Sequence, residues 1–312
     1  MDYVNPKTET VTVTIEDTLH TATFYKPPIS VSGVLDESYA EYSNSTTYSD
    51  GSFVKIGALK KIFRCSANGT VGKHPLNYPD VWVAYGYLNS YRMLSTDEFI
   101  SDVTEGTNVV IDIDFSRCNT MAFVGASFTS VRVQVFNTFS GTIEFDKEYI
   151  GRDYGSTSYA DFYFRDFKAL SRLVVSGFKY LPSATLRLTF SGDVKIAGLV
   201  YGNKLSLGAT LMGTSLKFDD TSKVITSSIN GARSVVRYGS VRVVECSVAI
   251  EVDNFNVIAN EIDRIIGRNI LWIPTTLDKF FELISIGYIE SFDLPIENIS
   301  IMKTKIIIIG VI

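Results

Sequence analysis

Apolar and polar residues alternate with a period of two near the start of the chain, in TVTVTI (residues 10–15) and again in TATFYK (residues 21–26). That period puts one side of an extended strand against a core and the other in water, so the segment predicts two strands joined by the polar turn around Glu16 to Thr18. The pair ends at Pro27 and Pro28. An isolated hairpin is marginal in water, so residues 1–36 read as an N-terminal arm that leans on the body or on a neighbouring subunit.

Residues 37–86 carry short alternating runs, FVKI (53–56) and KIFRC (61–65), punctuated by Asp50-Gly51, Gly57, Asn68-Gly69 and His74-Pro75 and closed by Trp82. Turn residues at such close spacing predict a small three-stranded unit. Residues 87–208 then offer eight strand-like runs: NVVIDIDF, TMAFVGA, SVRVQVFN, TIEFDKEYI, YADFYFRD, RLVVSGF, ATLRLTFSG and VKIAGLVYG. Short Gly, Ser or Asp turns separate them, the density expected of a jelly-roll β-sandwich.

After residue 208 the pattern changes. SVVRYGSVRVVECSVAIEVD is nearly continuous strand, whereas residues 254–266 switch to helical spacing, with Phe255, Ile258, Ile262, Ile265 and Ile266 on one face. Asp253 or Asn254 is placed to cap this helix and Gly267 to end it. NILWIP returns to a buried strand, and the apolar terminal run KIIIIGVI, far short of the roughly 20 residues that span a bilayer, reads as a further strand buried or paired with a partner. The predicted class is mainly β: a small three-stranded module plus a jelly-roll β-sandwich, followed by a β-rich C-terminal domain (209–312) with one helix. No repeat of fixed period is visible.

Composition agrees with strands, since 17 Tyr, 20 Phe and many β-branched residues suit a pleated, half-buried surface. A net charge of −5 with no Lys/Arg cluster argues against nucleic acid as a ligand. Cys65, Cys118 and Cys246 are odd in number and far apart, a poor disulfide or metal framework that reads as buried thiols. The polar N-terminus lacks the basic and apolar regions of a signal peptide.

Candidate chemistry is sparse. His20 and His74 are the two imidazoles, and no nucleophile elbow, phosphate loop or dinucleotide fingerprint accompanies them. Asp112 and Asp114 share one face of NVVIDIDF and are the best-placed carboxylates for glycosidase work, although Asp-x-Asp on a strand more often marks a solvated face. Asp146, Asp153, Asp161 and Asp166 could line a calcium site at a sandwich rim, yet they are scattered. No cofactor, no metal and no catalytic residue is expected, and the chain reads as non-enzymatic. Aromatics carry the recognition signal: Tyr85, Tyr87 and Tyr91, with Tyr159, Asp161 and Tyr163 on one parity of a later strand, could stack on the C–H faces of sugar rings. Trp82 and Trp272 end apolar strands and are expected to anchor cores.

Three resemblances add to this. The order STTYSDGSFVKIGALKKIFRCSANGTVGKHP…DVW resembles the small chitin-binding-type carbohydrate-binding module, although the exposed tryptophans of that module are absent from Ser66 to Pro75 and its second Tyr is Phe63. The stretch SATLRLTFSGDVKIAGLVYGNKLSLG resembles the end of a galactose-binding-like jelly roll. The series NYPDVWVAYGYLNSYRML, MAFVG, SVRVQV, LVVSG and IAGLVYGNKLSLG, together with the strand, helix, strand order closing on Trp272 and Pro274, is similar to a family of bacteriophage virion proteins. The resemblance implies a structural component of a phage tail, an adaptor, ring or appendage assembled in the host cytoplasm. Its implied partners are other tail or connector proteins and further copies of itself. A host-surface glycan is the alternative ligand, and with it a receptor-recognition role.

Overall fold

Strands form where the alternation places them. The computed structural model describes residues 1–15, 18–95, 103–153, 168–220, 222–226, 233–236, 240–275, 277–293, 295 and 301–310. Tyr159, Asp161 and Tyr163, and with them the strand YADFYFRD, lie outside the described residues. By internal contacts the chain divides into two compact units, Pro6–Gly202, and Met1–Asn5 with Asn203–Ile312.

In chain order the first strands are β1 (Asp2–Pro6), β2 (Thr8–Ile15), β3 (Thr18–Tyr25) and β4 (Ser30–Val34). β2 and β3 pair antiparallel over their whole length, Thr8 opposite Tyr25 and Ile15 opposite Thr18, so the expected hairpin is present. Val13 packs against the core of the small module that follows. That module is the antiparallel sheet β5 (Phe53–Ile56), β6 (Lys61–Cys65) and β7 (Trp82–Tyr87), with a bulge between Ile62 and Phe63. Its core gathers Tyr48, Val54, Leu59, Phe63, Cys65 and Trp82. Tyr42, Tyr48 and Trp82 meet as rings with centroids 5.2–6.0 Å apart, and the Trp82 indole donates to the Lys73 carbonyl at 2.9 Å. A buried indole whose N–H has a partner incurs no desolvation penalty there. The short helix α1 (Asn89–Arg92) follows.

The sandwich is built from β8 (Thr104–Asp114), β9 (Thr120–Ser127), β10 (Ser130–Asn137), β11 (Ile143–Ile150), the short pair β12 (Arg152–Asp153) and β13 (Lys168–Ala169), β14 (Arg172–Ser176), β15 (Ala184–Ser191) and β16 (Asp193–Ser206). One sheet runs β11-β10-β15-β8-β4; the other runs β14-β9-β16. β9 continues into β10, and β15 into β16, through sharp bends at 128–129 and at Gly192. The register follows the bends: Ser130 pairs with Ser191 on one sheet and Ser127 with Lys195 on the other. Such corner strands pass from one sheet to the facing one. Gly192 has φ +82°, and a Cβ there would lie 2.5 Å from Thr129 Oγ1, so the corner requires glycine. Val131, Val133 and Val135 alternate inward with Leu186, Leu188 and Phe190, and Phe190 meets Phe123 of the facing sheet at 5.7 Å.

The other unit contains β17 (Ala209–Thr210), β18 (Ser215–Asp220), β19 (Lys223–Thr226), β20 (Arg233–Val236), β21 (Ser240–Glu251), α2 (Phe255–Ile265), β22 (Ile270–Ile273), β23 (Ser285–Phe292) and β24 (Ile301–Gly310). Its antiparallel sheet runs β1-β22-β23-β24-β21, with β17 and β18 along the outer edge of β21. Ile258, Ile262 and Ile265 seat α2 on a core with Tyr3, Cys246, Trp272 and Ile306. The first strand leans on the body: Tyr3 and Val4 are fully buried beside β22. Two features depart from the sequence pattern. Ile266, expected on the apolar face, is 56% exposed because α2 stops at Ile265 and Ile266 is already extended at φ −58°, ψ 136°. Asn254 precedes the helix without a side-chain capping bond. Within the terminal run, described as far as Gly310, Ile306 and Ile308 are buried as expected, and β24 lies between β21 and β23.

Candidate functional site

The best-placed carboxylates of the sequence lie in a closed polar row. On the outer face of the five-stranded sheet, Asp146, Gln134, Arg187, Asp112 and Ser30 stand directly opposite one another on five successive strands. Alternation dictates this: Val133, Val135, Leu186, Leu188, Ile111 and Ile113 turn inward, so their neighbours turn out. Arg187 grips Asp112 through two N–H groups at 2.7 and 2.9 Å, and Ser30 adds a hydroxyl at 3.2 Å. Arg132 grips Asp146 in the same way at 2.8 and 2.6 Å, with Gln134 donating at 3.0 Å. Asp114, two residues along, accepts from Lys26 Nζ at 2.7 Å and from the Ser116 hydroxyl and amide.

These partners set the protonation. The Arg187 hydrogen bonds hold the Asp112 carboxyl below its ordinary range, outweighing the opposing effect of burial. For Asp114, burial pushes upward, but hydrogen bonds from Lys26 and Ser116 prevail and hold it well below the usual carboxylate range. A general acid needs the reverse, a carboxyl kept protonated near neutrality. Asp112 and Asp114 are thus arranged as sheet-face ion pairs, and Asp146, one of the scattered calcium candidates, is engaged by Arg132. Among the described residues no group of three or more His, Cys, Asp or Glu side chains is close enough to hold a metal ion. His74 lies edge-on to Tyr42 at 4.8 Å. The three cysteines are buried thiols, and burial raises Cys118 and pushes Cys246 up to about 12.

The tyrosines divide by exposure. Tyr87 is 2% exposed and belongs to the small module's core, with Lys61 Nζ 4.9 Å from its ring centroid. Tyr91 is half-buried on α1, with Lys60 Nζ 5.1 Å from its centroid. Tyr85 is 58% exposed, and it meets Phe53 edge-on at 4.9 Å. Phe53 in turn stacks on Tyr39 at 5.1 Å, with ring planes 20° apart. The three rings make a strip beside the small sheet, in which Tyr85 is exposed and Tyr39 and Phe53 are half-buried. Arg64 stands opposite both Phe53 and Val83 in register, and its Nη2 is 3.9 Å from Asp50 Oδ1. Sequence reasoning missed Tyr39 and Phe53. The signal that could have found Phe53 is parity: Val54 and Ile56 face inward, so Phe53 must face out.

Among the described residues, no helix is long and apolar enough to cross a membrane. Comparison of the chain with protein-family profiles, with curated proteins and with solved structures returned no match.

Proposed function

We propose that the chain is a non-enzymatic structural component of a bacteriophage particle, a tail adaptor, ring or appendage protein that assembles with copies of itself and with other tail or connector proteins. The observation that supports this reading best is a β-ribbon. β18 pairs with β21 up to Asp220 opposite Ser240, and β19 pairs with β20 from Lys223 opposite Val236 onward. The two pairings follow one another along the same two chain segments, and β19 and β20 have no third strand among the described residues. Val224 and Ile225 are consecutive, so they point to opposite faces, and they are 56% and 47% exposed. A two-stranded ribbon with apolar side chains on both faces is marginal alone and gains by packing between subunits. Closed symmetric assembly is the usual outcome for such contacts. The resemblance to phage virion proteins supports the same reading, as do carboxylates committed to ion pairs.

Light scattering on the purified chain tests it. A multimer is expected, reverting to smaller species when Ile225→Asp places a charge on the ribbon. A monodisperse monomer that stays monomeric beside its neighbouring tail proteins would refute the reading. Recognition of a host-surface carbohydrate is a second reading, favoured by one observation, the exposed ring of Tyr85.

A further inference from the structure

We propose that the open edge of β11 in one copy of the chain takes up β20 of the next copy as an added antiparallel strand, with Arg233 opposite Glu148. The inference rests on the assembly reading above and names the two surfaces that meet.

β11 ends its sheet with a free row of backbone groups. Among the described residues it pairs with β10 alone, from Ser130 opposite Ile150 to Phe136 opposite Ile143. No proline interrupts the strand, and its one irregularity of register falls near its start, beside Val135 and Phe136. Residues 145–150 are therefore a regular template for a further strand. Charge decides which strand it takes. Glu144, Asp146 and Glu148 alternate on the outer face; Arg132 holds Asp146, Lys179 Nζ stands 3.4 Å from Glu144, and Glu148 is exposed. A second β11 is refused. The antiparallel registers centred on Asp146 or Lys147 overlap the strand most, and they set Glu144 or Asp146 opposite Glu148, like against like.

The ribbon has the opposite character. Residues 221–240 hold Lys223, Arg233 and Arg237 and no carboxylate, in a chain whose net charge is −5. β20 pairs with β19 on one side and has no strand on the other among the described residues, and its Arg233 and Ser234 are exposed. The planar fork of an arginine can donate two N–H groups to one carboxylate. With Arg233 opposite Glu148, antiparallel addition sets Ser234 opposite Lys147 and the half-buried Val236 opposite Phe145. The charged pair then lies on the outer face, and the apolar pair on the inner face, where Phe145 meets Phe178 at 4.8 Å. A slip of one residue would turn Arg233 to the inner face. The two surfaces differ, so the contact is heterologous: each copy offers one edge and one ribbon, and the contact repeats from copy to copy until a ring closes.

The test is sedimentation equilibrium of the full chain as parent, Glu148→Lys, Arg233→Glu, the double variant, and an equimolar mixture of the two single variants. Each single variant should weaken association by at least about tenfold, because it sets like charges face to face. The double variant and the mixture should both restore it. Mixing works because the Glu148→Lys edge meets the Arg233→Glu ribbon, while the other contact between the two chains is the parental one. Both positions are exposed, so all variants should melt with the parent. Rescue in the double variant but not in the mixture would place the contact within one chain and overturn the inference. A parent that multimerises while neither substitution weakens it would overturn the inference and leave the assembly reading standing. A parent that is monomeric alone would also overturn the inference, and the assembly reading would then be decided beside the neighbouring tail proteins.

Discussion

Gly192→Ala strikes the corner on which the sandwich turns. Two costs add there. An L-residue at φ +82° gives up about 1–2 kcal/mol relative to glycine. The new methyl would also lie 2.5 Å from Thr129 Oγ1 and 3.3 Å from Thr129 Cβ, and overpacking of this kind costs about 1–3 kcal/mol. Part of the second cost can be relieved by the threonine moving, so the substitution should destabilise by about 2–4 kcal/mol, or roughly 5–15 °C in melting temperature for a unit of this size. The two costs separate in a double-mutant cycle. Thr129→Ala removes the nearer atom, so Gly192→Ala in that background should cost only about 1–2 kcal/mol, the conformational share. Gly141→Ala is the control, because Gly141 has φ +68° and an added methyl there would meet nothing within 4 Å, leaving the conformational cost alone. Far-UV circular dichroism melts of the full chain read all four variants. Gly192→Ala melting with the parent, or showing no coupling to Thr129, would refute the corner.

Three further outcomes are expected. Arg187→Gln should cost about 0.5–1 kcal/mol at neutral pH, the value of a well-formed surface pair; because the folded pKa of Asp112 lies below its unfolded one, the pair's contribution is present above the ordinary carboxylate pKa and is lost as pH falls through the folded value, so the gap between parent and variant should close in acid melts. A gap that stays constant with pH would show that the pair does not set the carboxylate. Trp82→Ala and Trp272→Ala should each cost about 3–5 kcal/mol, since both indoles are buried with their N–H groups bonded; after Trp82→Ala the remaining fluorescence should stay blue-shifted, and a red shift would mean that Trp272 lost its core as well. Cys65, Cys118 and Cys246 should resist a thiol reagent in the native protein and react in denaturant, and rapid native labelling would contradict their burial.

Strand positions were legible because alternation is a local property. Val131, Val133 and Val135 face inward whatever their partners, and the same holds for Leu186 and Leu188. The helix was legible for the same reason, while its end was missed by one residue: periodicity extends to Ile266, and only backbone geometry shows that the helix has already stopped. Partner choice was not legible. β1 is seated against β22 some 270 residues away, and no local pattern carries that pairing. The role of Asp112 was half-legible. Its outward parity was plain, but the Arg187 that neutralises it is 75 residues distant. Around the aromatic strip, Tyr85 and Tyr87 have the same parity in sequence; the bulge at Ile62 and Phe63 breaks the β6–β7 register beside them, and one ring is exposed while the other is buried. Their different fates follow from neighbouring strands that a single run of sequence does not reveal.

We propose that the chain is built for contact within a phage particle and not for catalysis. Antibody labelling of purified particles tests this proposal, with copy number read from the same preparation by quantitative mass spectrometry. Labelling is expected at a fixed place on the tail, in a copy number that fits a closed symmetric assembly. Absence of the protein from purified particles would contradict it.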